Sequence, residues 1–327
     1  MEKIMSIAIK LKDEILLNDK LINKHEAMLL VDENLEILCK CADEIRQKMC
    51  ENKFDLCSIV NGKSGKCSEN CKFCAQSSFY DTKVEVYPLL EIKEMTELAK
   101  YNKEKGVLRY SIVTSGRKLN DSELDYMCTA TKDILENLDV KVCGSFGLLD
   151  EEGFAKIKNA GIVRIHNNLE TSRRNFPGIC TTHTYDDKIR SIKAAQKVGL
   201  EVCSGGIMGL GETYEDRIDM ALDIRDLGVK SIPINMLNAI EGTPFENNTR
   251  LTNDDMRRIV AIFRFINPSA AIRLAGGRGL LEDKGKSCFE SGANAAISGD
   301  MLTTTGITIK EDIEMITQLG YVAEIIE

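Results

Sequence analysis

The chain has 327 residues, about 43% hydrophobic, with a formal net charge of −8, three histidines and no tryptophan. That length suits two ordinary domains or one α/β barrel, and an acidic balance without a Lys/Arg stripe argues against a nucleic-acid partner. Three histidines exclude a His-rich metal site, and twelve cysteines in so large a chain need no disulfide framework. At the N-terminus, charges interrupt the apolar residues of MEKIMSIAIKLKDEILLNDKLI every few positions. This is the pattern of an amphipathic helix, without the unbroken apolar centre of a signal peptide. No stretch approaches the length of a membrane span, so a cytoplasmic protein that does not touch the membrane is expected. Residues 1–50 read as a helical extension, with apolar positions spaced by three and four in Glu26-Ala-Met-Leu-Leu-Val and Leu35-Glu-Ile-Leu-Cys-Lys-Cys.

From about residue 56 the pattern changes to short β-rich runs alternating with helical stretches. Strands are predicted at 56–61, 107–114, 140–147, 162–168, 201–207, 231–237, 270–275 and 294–298, with amphipathic helices such as 89–105, 123–138 and 213–227 between them. Eight strands with helical crossovers point to parallel β/α packing, and closure would give a (β/α)8 TIM-type barrel whose functional face lies at the carboxyl ends of the strands. An open doubly wound sheet is the alternative. No Pro/Ser-rich linker divides the chain, so the expected organisation is an extension over 1–50, a barrel over 51–305 and a helical segment over 306–327.

After the first strand comes Gly65-Lys-Cys67-Ser-Glu-Asn-Cys71-Lys-Phe-Cys74-Ala-Gln. The C-x3-C-x2-C spacing lets three thiolates converge on one metal centre. Structural zinc sites commonly use four ligands in two C-x-x-C pairs, whereas the next cysteine here is Cys128. Three thiolates on a 4Fe–4S cubane would leave one iron open to bind a small molecule. A zinc site completed by a distant cysteine, or three cysteines grouped by chance, are the competing readings.

The Cys67–Cys74 loop, with Phe73 just before the last cysteine, resembles the signature of the radical S-adenosylmethionine superfamily. From about residue 50 to about 305 the chain also resembles the biotin synthase family. The matching segments are Ser64-Gly-Lys-Cys-Ser-Glu-Asn-Cys-Lys-Phe-Cys-Ala-Gln-Ser, His166-Asn-Asn-Leu-Glu-Thr-Ser, Val202-Cys-Ser-Gly-Gly-Ile-Met-Gly-Leu-Gly-Glu-Thr, Val229-Lys-Ser-Ile-Pro-Ile-Asn-Met-Leu, Glu241-Gly-Thr-Pro, Ile272-Arg-Leu-Ala-Gly-Gly-Arg and Gly292-Ala-Asn with Leu302-Thr-Thr. The resemblance implies that S-adenosylmethionine chelates the open iron and is reductively cleaved to a 5′-deoxyadenosyl radical, with Phe73 near the adenine. It further implies that Gly205, Gly206 and Ile207 line the S-adenosylmethionine pocket. Glu170 would accept the ribose hydroxyls, and Lys188 would stand where the family often has an Arg for the carboxylate. A Lys keeps the charge and loses the bidentate fork. Asn168 and Asn235 match contacts to the ureido ring of dethiobiotin, a group that donates and accepts as an amide does.

The resemblance also implies an auxiliary iron–sulfur cluster that supplies sulfur. Its usual ligands are cysteines on the second, third and fifth strands and an arginine on the seventh. Here Cys143, Cys203 and Arg273 fill three of those places, while the second strand carries Ser111. Cys57, in the middle of the neighbouring first strand, is the expected replacement, since thiolate binds iron far better than a serine hydroxyl does. The expected ligands are therefore Cys57, Cys143 and Cys203, with Arg273 as ligand or hydrogen-bond donor, Ser111 accessory and either a 2Fe–2S cluster or a four-iron variant. Cys39, Cys41, Cys50, Cys128, Cys180 and Cys288 read as buried or incidental thiols. The resemblance implies a flavodoxin- or ferredoxin-type reductant and a homodimer. Other enzymes of the same kind, the hydrogenase-cluster maturase and methylornithine synthase, and a non-enzymatic iron–sulfur protein are the rival readings.

Overall fold

The computed structural model describes residues 6–299, 301–302, 304 and 306–326. Residues 1–5 of the expected extension, Thr303 of the Leu302-Thr-Thr motif and the expected boundary at 305 lie outside the described residues.

Parallel strands close into a (β/α)8 barrel. They are β1 (Lys53–Lys63), β2 (Arg109–Thr114), β3 (Lys141–Ser145), β4 (Arg164–His166), β5 (Glu201–Cys203), β6 (Gly206–Met208), β7 (Ser231–Met236), β8 (Ala271–Leu274) and β9 (Ala295–Ile297). Each pairs in parallel with its neighbour, and β1 pairs with β9 to complete the circle. The predicted strand at 201–207 is two pieces, β5 and β6, both paired to β7. A bend at Ser204 and Gly205 breaks the ladder between them. The predicted strand at 162–168 stops at His166, which leaves Asn168 and Glu170 beyond its end.

Period-two alternation sorts each strand's side chains. On β1, Phe54, Leu56, Ser58 and Val60 are buried under the helices, while Cys57 and Ile59 line the barrel cavity. The helices between strands are well marked at their starts. Asn120 and Glu123 form a reciprocal capping box for the helix Asp121–Asn137, and Thr213 and Asp216 do so for Tyr214–Asp226.

Three helices precede the barrel: α1 (Ile7–Asn18), α2 (Lys24–Leu29) and α3 (Leu35–Cys50). The buried face of α3, including Leu38, Cys41, Ala42 and Ile45, packs against the barrel helix Asn253–Ile266. Beyond residue 305 the chain is only partly helical. The helix Ile309–Gln318 leads into β10 (Val322–Ala323), which pairs with the start of β1. Just before β10, the Tyr321 ring meets Phe54 edge-on at 5.3 Å, and Phe54 meets Phe289 at 5.0 Å. Each such contact contributes about 0.5–1.5 kcal/mol beyond the area buried, so the chain's end is tied to the first strand. Among the described residues no helix is long and apolar enough to cross a membrane.

Candidate active site

One cavity of about 420 Å³ runs into the barrel from the carboxyl ends of its strands, lined by Cys67, Cys71, Phe73 and Cys74 near its mouth and by Cys57, Cys143, Cys203 and Arg273 deeper inside. The three-cysteine loop leaves β1 through Lys66, a non-glycine residue at φ +49°. It then folds back on itself. The Cys67 amide donates to Gln76 O at 2.9 Å, the Ser78 amide donates to Cys67 O at 2.9 Å, and the Cys74 amide closes a turn on Cys71 O at 3.0 Å. The Ser115 hydroxyl after β2 anchors the loop by donating to Gly65 O at 2.7 Å. These bonds turn Cys67, Cys71 and Cys74 towards the same space. Burial pushes the Cys74 thiol up to about 11, so a positive metal centre would favour its ionised form.

Deeper in the barrel, strand register brings the other thiols together. Ser111 pairs with Ile59 on one side and Cys143 on the other, while His166 pairs with Cys203 and Cys57 with Arg109. Arg273 Nη1 donates to Cys57 Sγ at 3.1 Å and to the Asp55 and Ala296 carbonyls at 2.9 Å. Burial raises the Cys57 thiol to about 12 and the Cys143 thiol to about 11. Burial also opposes ionisation of Cys203, but a hydrogen bond from His166, with the positive charges of Arg273 and Arg164, brings it down to about 7. Cys57 and Ser111 thus line the same cavity, two strand positions that differ in which one carries sulfur.

Below the thiols lies a buried ionic floor. Asp55 is fully buried and faces three guanidiniums: Arg273 Nη2 at 2.9 Å, Arg109 Nε at 3.2 Å and Arg164 Nη1 at 3.8 Å. Burial alone would raise the Asp55 carboxyl, and the three arginines, Arg273 first, hold it below its ordinary value. Glu201, half exposed, pairs with Arg164 at 2.6 Å. The inward charge is therefore positive, and burying it unpaired would be expensive. A thiolate-ligated iron–sulfur group, which carries negative charge, fits that floor.

Between mouth and floor sit the expected binding residues. Asn168, Glu170, Lys188, Ile207 and Asn235 all line the cavity. Asn168 Nδ2 donates to Glu170 Oε2 at 3.2 Å, and its Oδ1 accepts from the Gly205 amide at 3.0 Å. Asn235 spans neighbouring strands, donating to Gly206 O at 3.1 Å and accepting from the Gly276 amide at 2.8 Å. Glu170 adopts φ +70°, and its carbonyl accepts from the Ile207 amide at 2.8 Å. A non-glycine residue in that region is held there by its surroundings.

Gly205 and Gly206 are not on the cavity wall. A Cβ at Gly205 would stand 1.9 Å from Pro233 O, and one at Gly206 would stand 2.5 Å from Glu170 O. At Gly205 that space is taken by the facing backbone, and at Gly206 by Met220 Sδ at 2.4 Å as well.

Several further residues of this site carry no recognisable motif of their own in the sequence. Asn167 lines the cavity with a buried Nδ2 that has no partner among the described residues. Such a donor fits a polar ligand. Asp55 and Arg109 were legible as inward positions two residues from Cys57 and Ser111, and Arg164 lies two residues from His166. Cys180 and His183, in a Cys-Thr-Thr-His segment, pack against Cys71, with Cys71 Sγ donating to Cys180 Sγ at 3.7 Å. That contact lowers the Cys180 thiol and raises Cys71.

Two family models match the chain. Residues 63–224 match the Radical SAM superfamily model, and residues 233–322 match the Biotin and Thiamin Synthesis associated domain. The chain is 64% identical to the biotin synthase of Brachyspira hyodysenteriae over 94% of its own length and 92% of that protein's. It is 55% identical to the biotin synthase of Akkermansia muciniphila, covering 91% and 93%, and 53% identical to that of Clostridium botulinum strain Alaska E43, covering 97% and 99%. Among solved structures, methylornithine synthase superposes with a TM-score of 0.84 at 18% identity, covering 96% of this chain and 97% of that one. An FeFe-hydrogenase maturase from Carboxydothermus hydrogenoformans superposes at 0.81 with 16% identity, covering 97% and 79%. At these identities the two structures bear on the fold alone.

Proposed function

The chain belongs to the biotin synthase family, and from that premise we propose that it inserts sulfur into dethiobiotin to form biotin, with Cys67, Cys71 and Cys74 holding a 4Fe–4S cluster and Cys57, Cys143, Cys203 and Arg273 holding an auxiliary iron–sulfur cluster. One observation carries this reading: two sets of three thiols, one at the mouth and one near the floor, open onto a single cavity. When bound, the first cluster and S-adenosylmethionine supply a reductively generated adenosyl radical, and the auxiliary cluster supplies sulfur.

The protein's own residues bind, orient and exclude. Glu170 accepts hydrogen bonds from ribose hydroxyls, and Lys188 offers its ammonium to a carboxylate. Phe73, between two thiols of the loop, packs against adenine. Asn168 and Asn235 present amides to the ureido group, already oriented by their bonds to the Gly205 and Gly276 amides. Asn167 adds an unpaired donor. Arg273 is held rigidly by two carbonyls and Asp55, so a group placed against it meets a fixed guanidinium. Ser111 is accessory, beside Cys143 in register. The proposal includes a flavodoxin- or ferredoxin-type reductant, a homodimer, and a division into an extension over 1–50, a catalytic barrel over 51–305 and a C-terminal segment over 306–327.

The test is anaerobic reconstitution with iron and sulfide, followed by reaction with dethiobiotin, S-adenosylmethionine and reductant. Biotin and 5′-deoxyadenosine are expected together by mass spectrometry. Deoxyadenosine without biotin, in protein carrying full iron, would reject dethiobiotin as the substrate.

A further inference from the structure

The middle cysteine of the loop has a second set of neighbours. Cys71 Sγ lies 3.7 Å from Cys180 Sγ, and Cys180 Sγ lies 3.3 Å from Nδ1 and 3.9 Å from Nε2 of His183. The three residues can bring one ligand atom each within 4.8 Å of one another. Cys180 and His183 are 3% and 6% exposed. They follow the short helix Phe176–Ile179, and the Phe176 ring packs edge-on against the imidazole at 5.5 Å. Neither Cys180 nor His183 lines the barrel cavity, so the function assigned there makes no use of them.

Two of the three edges suit a small tetrahedral site. With zinc–sulfur bonds of about 2.3 Å and zinc–nitrogen bonds of about 2.0 Å, a tetrahedron has sulfur–sulfur edges of about 3.8 Å and sulfur–nitrogen edges of about 3.5 Å. The Cys71–Cys180 separation matches the first edge, and the Cys180–Nε2 separation lies close to the second. The imidazole is also prepared on its other side. His183 Nδ1 lies 2.5 Å from Glu69 Oε2, and a carboxylate there can only accept, so Nδ1 carries the shared proton and Nε2 is the ring nitrogen that a metal could take. Glu69 is fixed in turn by the Thr182 hydroxyl at 2.8 Å. A carboxylate that orients a metal-binding histidine is the usual support for such a ligand.

We propose that the cluster-free chain binds one thiophilic divalent cation, of the zinc or ferrous class, on Cys71 Sγ, Cys180 Sγ and His183 Nε2, with solvent as fourth ligand. Binding releases the thiol protons to solvent and changes no oxidation state. Cys71 belongs to both this site and the three-cysteine loop, so the cation and the 4Fe–4S cluster exclude one another. That exclusion rests on the assignment of Cys71 to the cluster, whereas the cation site rests on the distances alone. The consequence is a chain that parks one of its three cluster thiols until assembly, and that zinc can hold out of the cluster.

Anaerobic titration of the full cluster-free chain with cobalt(II) tests this, because thiolate-bound tetrahedral cobalt has characteristic charge-transfer and visible bands. The thiols near the barrel floor can take cobalt of their own, so the readout is the equivalent that depends on Cys180. Cys180→Ser and His183→Gln are each expected to lose one tetrahedral cobalt, Cys67→Ala is expected to keep it, and Glu69→Gln is expected to weaken it about 10- to 100-fold. Unchanged cobalt binding in both Cys180→Ser and His183→Gln overturns the proposal. Loss of that cobalt in Cys67→Ala also overturns it, by placing the cation on the loop's own thiols. Iron content after reconstitution should match wild type in His183→Gln, which separates a lost site from a lost fold. Zinc loaded beforehand should slow reconstitution of wild type and not of Cys180→Ser. Zinc that occupies the site without slowing reconstitution would instead overturn the role of Cys71 in the cluster.

Discussion

Arg273 and Cys57 are joined across the barrel, with the guanidinium Nη1 donating to the thiol sulfur at 3.1 Å while Nη2 is held by Asp55 at 2.9 Å. An arginine proposed for the auxiliary cluster therefore already touches the thiol on the first strand, a bond that Ser111 on the second strand does not make among the described residues.

Cys57→Ala is expected to lose the auxiliary cluster's iron and biotin formation while still producing 5′-deoxyadenosine, because the three-cysteine loop is untouched. Ser111→Ala is expected to keep both. Iron and sulfide analysis with Mössbauer spectroscopy decides between them. Full auxiliary iron in Cys57→Ala would transfer the ligand role elsewhere.

Asp55→Asn leaves Arg109, Arg164 and Arg273 without their shared carboxylate in a buried place. Removing one partner from a buried ion pair typically costs about 3–5 kcal/mol, and a clear drop in unfolding midpoint is expected for the cluster-free chain. An unchanged midpoint in urea would show that the three guanidiniums do not need it.

Glu170→Ala should weaken S-adenosylmethionine binding about 10- to 100-fold, the equivalent of about 1.5–3 kcal/mol for hydrogen bonds to a charged group. The absorbance of the reconstituted cluster should stay as in wild type. Calorimetric titration measures the loss, and affinity equal to wild type would move the ribose contact off this residue.

Asp216 links two segments, accepting from Ser172 at 2.6 Å and the Thr213 amide at 2.8 Å and pairing with Arg174. Burial acts to raise its carboxyl, but these partners, Arg174 first, bring it well below its ordinary value of 3.8. A depressed folded-state value stabilises above the unfolded value and is lost as pH falls through the folded one. Wild type should thus exceed Asp216→Ala by about 2 kcal/mol at pH 7, and the gap should begin to close below about pH 4. A gap that stays constant down to acid unfolding would remove Asp216 from the pH response.

The barrel was legible because its strands are short β-rich runs separated by amphipathic helices. The family resemblance, rather than any local pattern, put Cys57, Cys143, Cys203 and Arg273 inside it, where they line the cavity. The break between β5 and β6 was not legible. It falls where Gly205 passes close to Pro233, which has no N–H to give the ladder, a tertiary relationship with no local pattern in 201–207. Cys180 and His183 escaped for a different reason. Residues over a hundred positions away from Cys71 reach it only through the return of the chain after β4, and a two-residue gap between a thiol and an imidazole carries little information alone. Asp55 and Arg109 could have been found, since they sit two residues from Cys57 and Ser111, positions already singled out on their strands.

The ionic floor has a consequence for traffic. Asp55 and the three arginines beneath the thiols are nearly closed to solvent, so among the described residues the floor itself gives the cavity no opening. On the proposed assignment, what restores sulfur at Cys57, Cys143 and Cys203 would pass the mouth lined by Cys67, Cys71 and Cys74, the way that dethiobiotin and S-adenosylmethionine would also take. Refilling and turnover are then successive passages through one gate, and a lingering product would delay repair as much as it delays the next substrate.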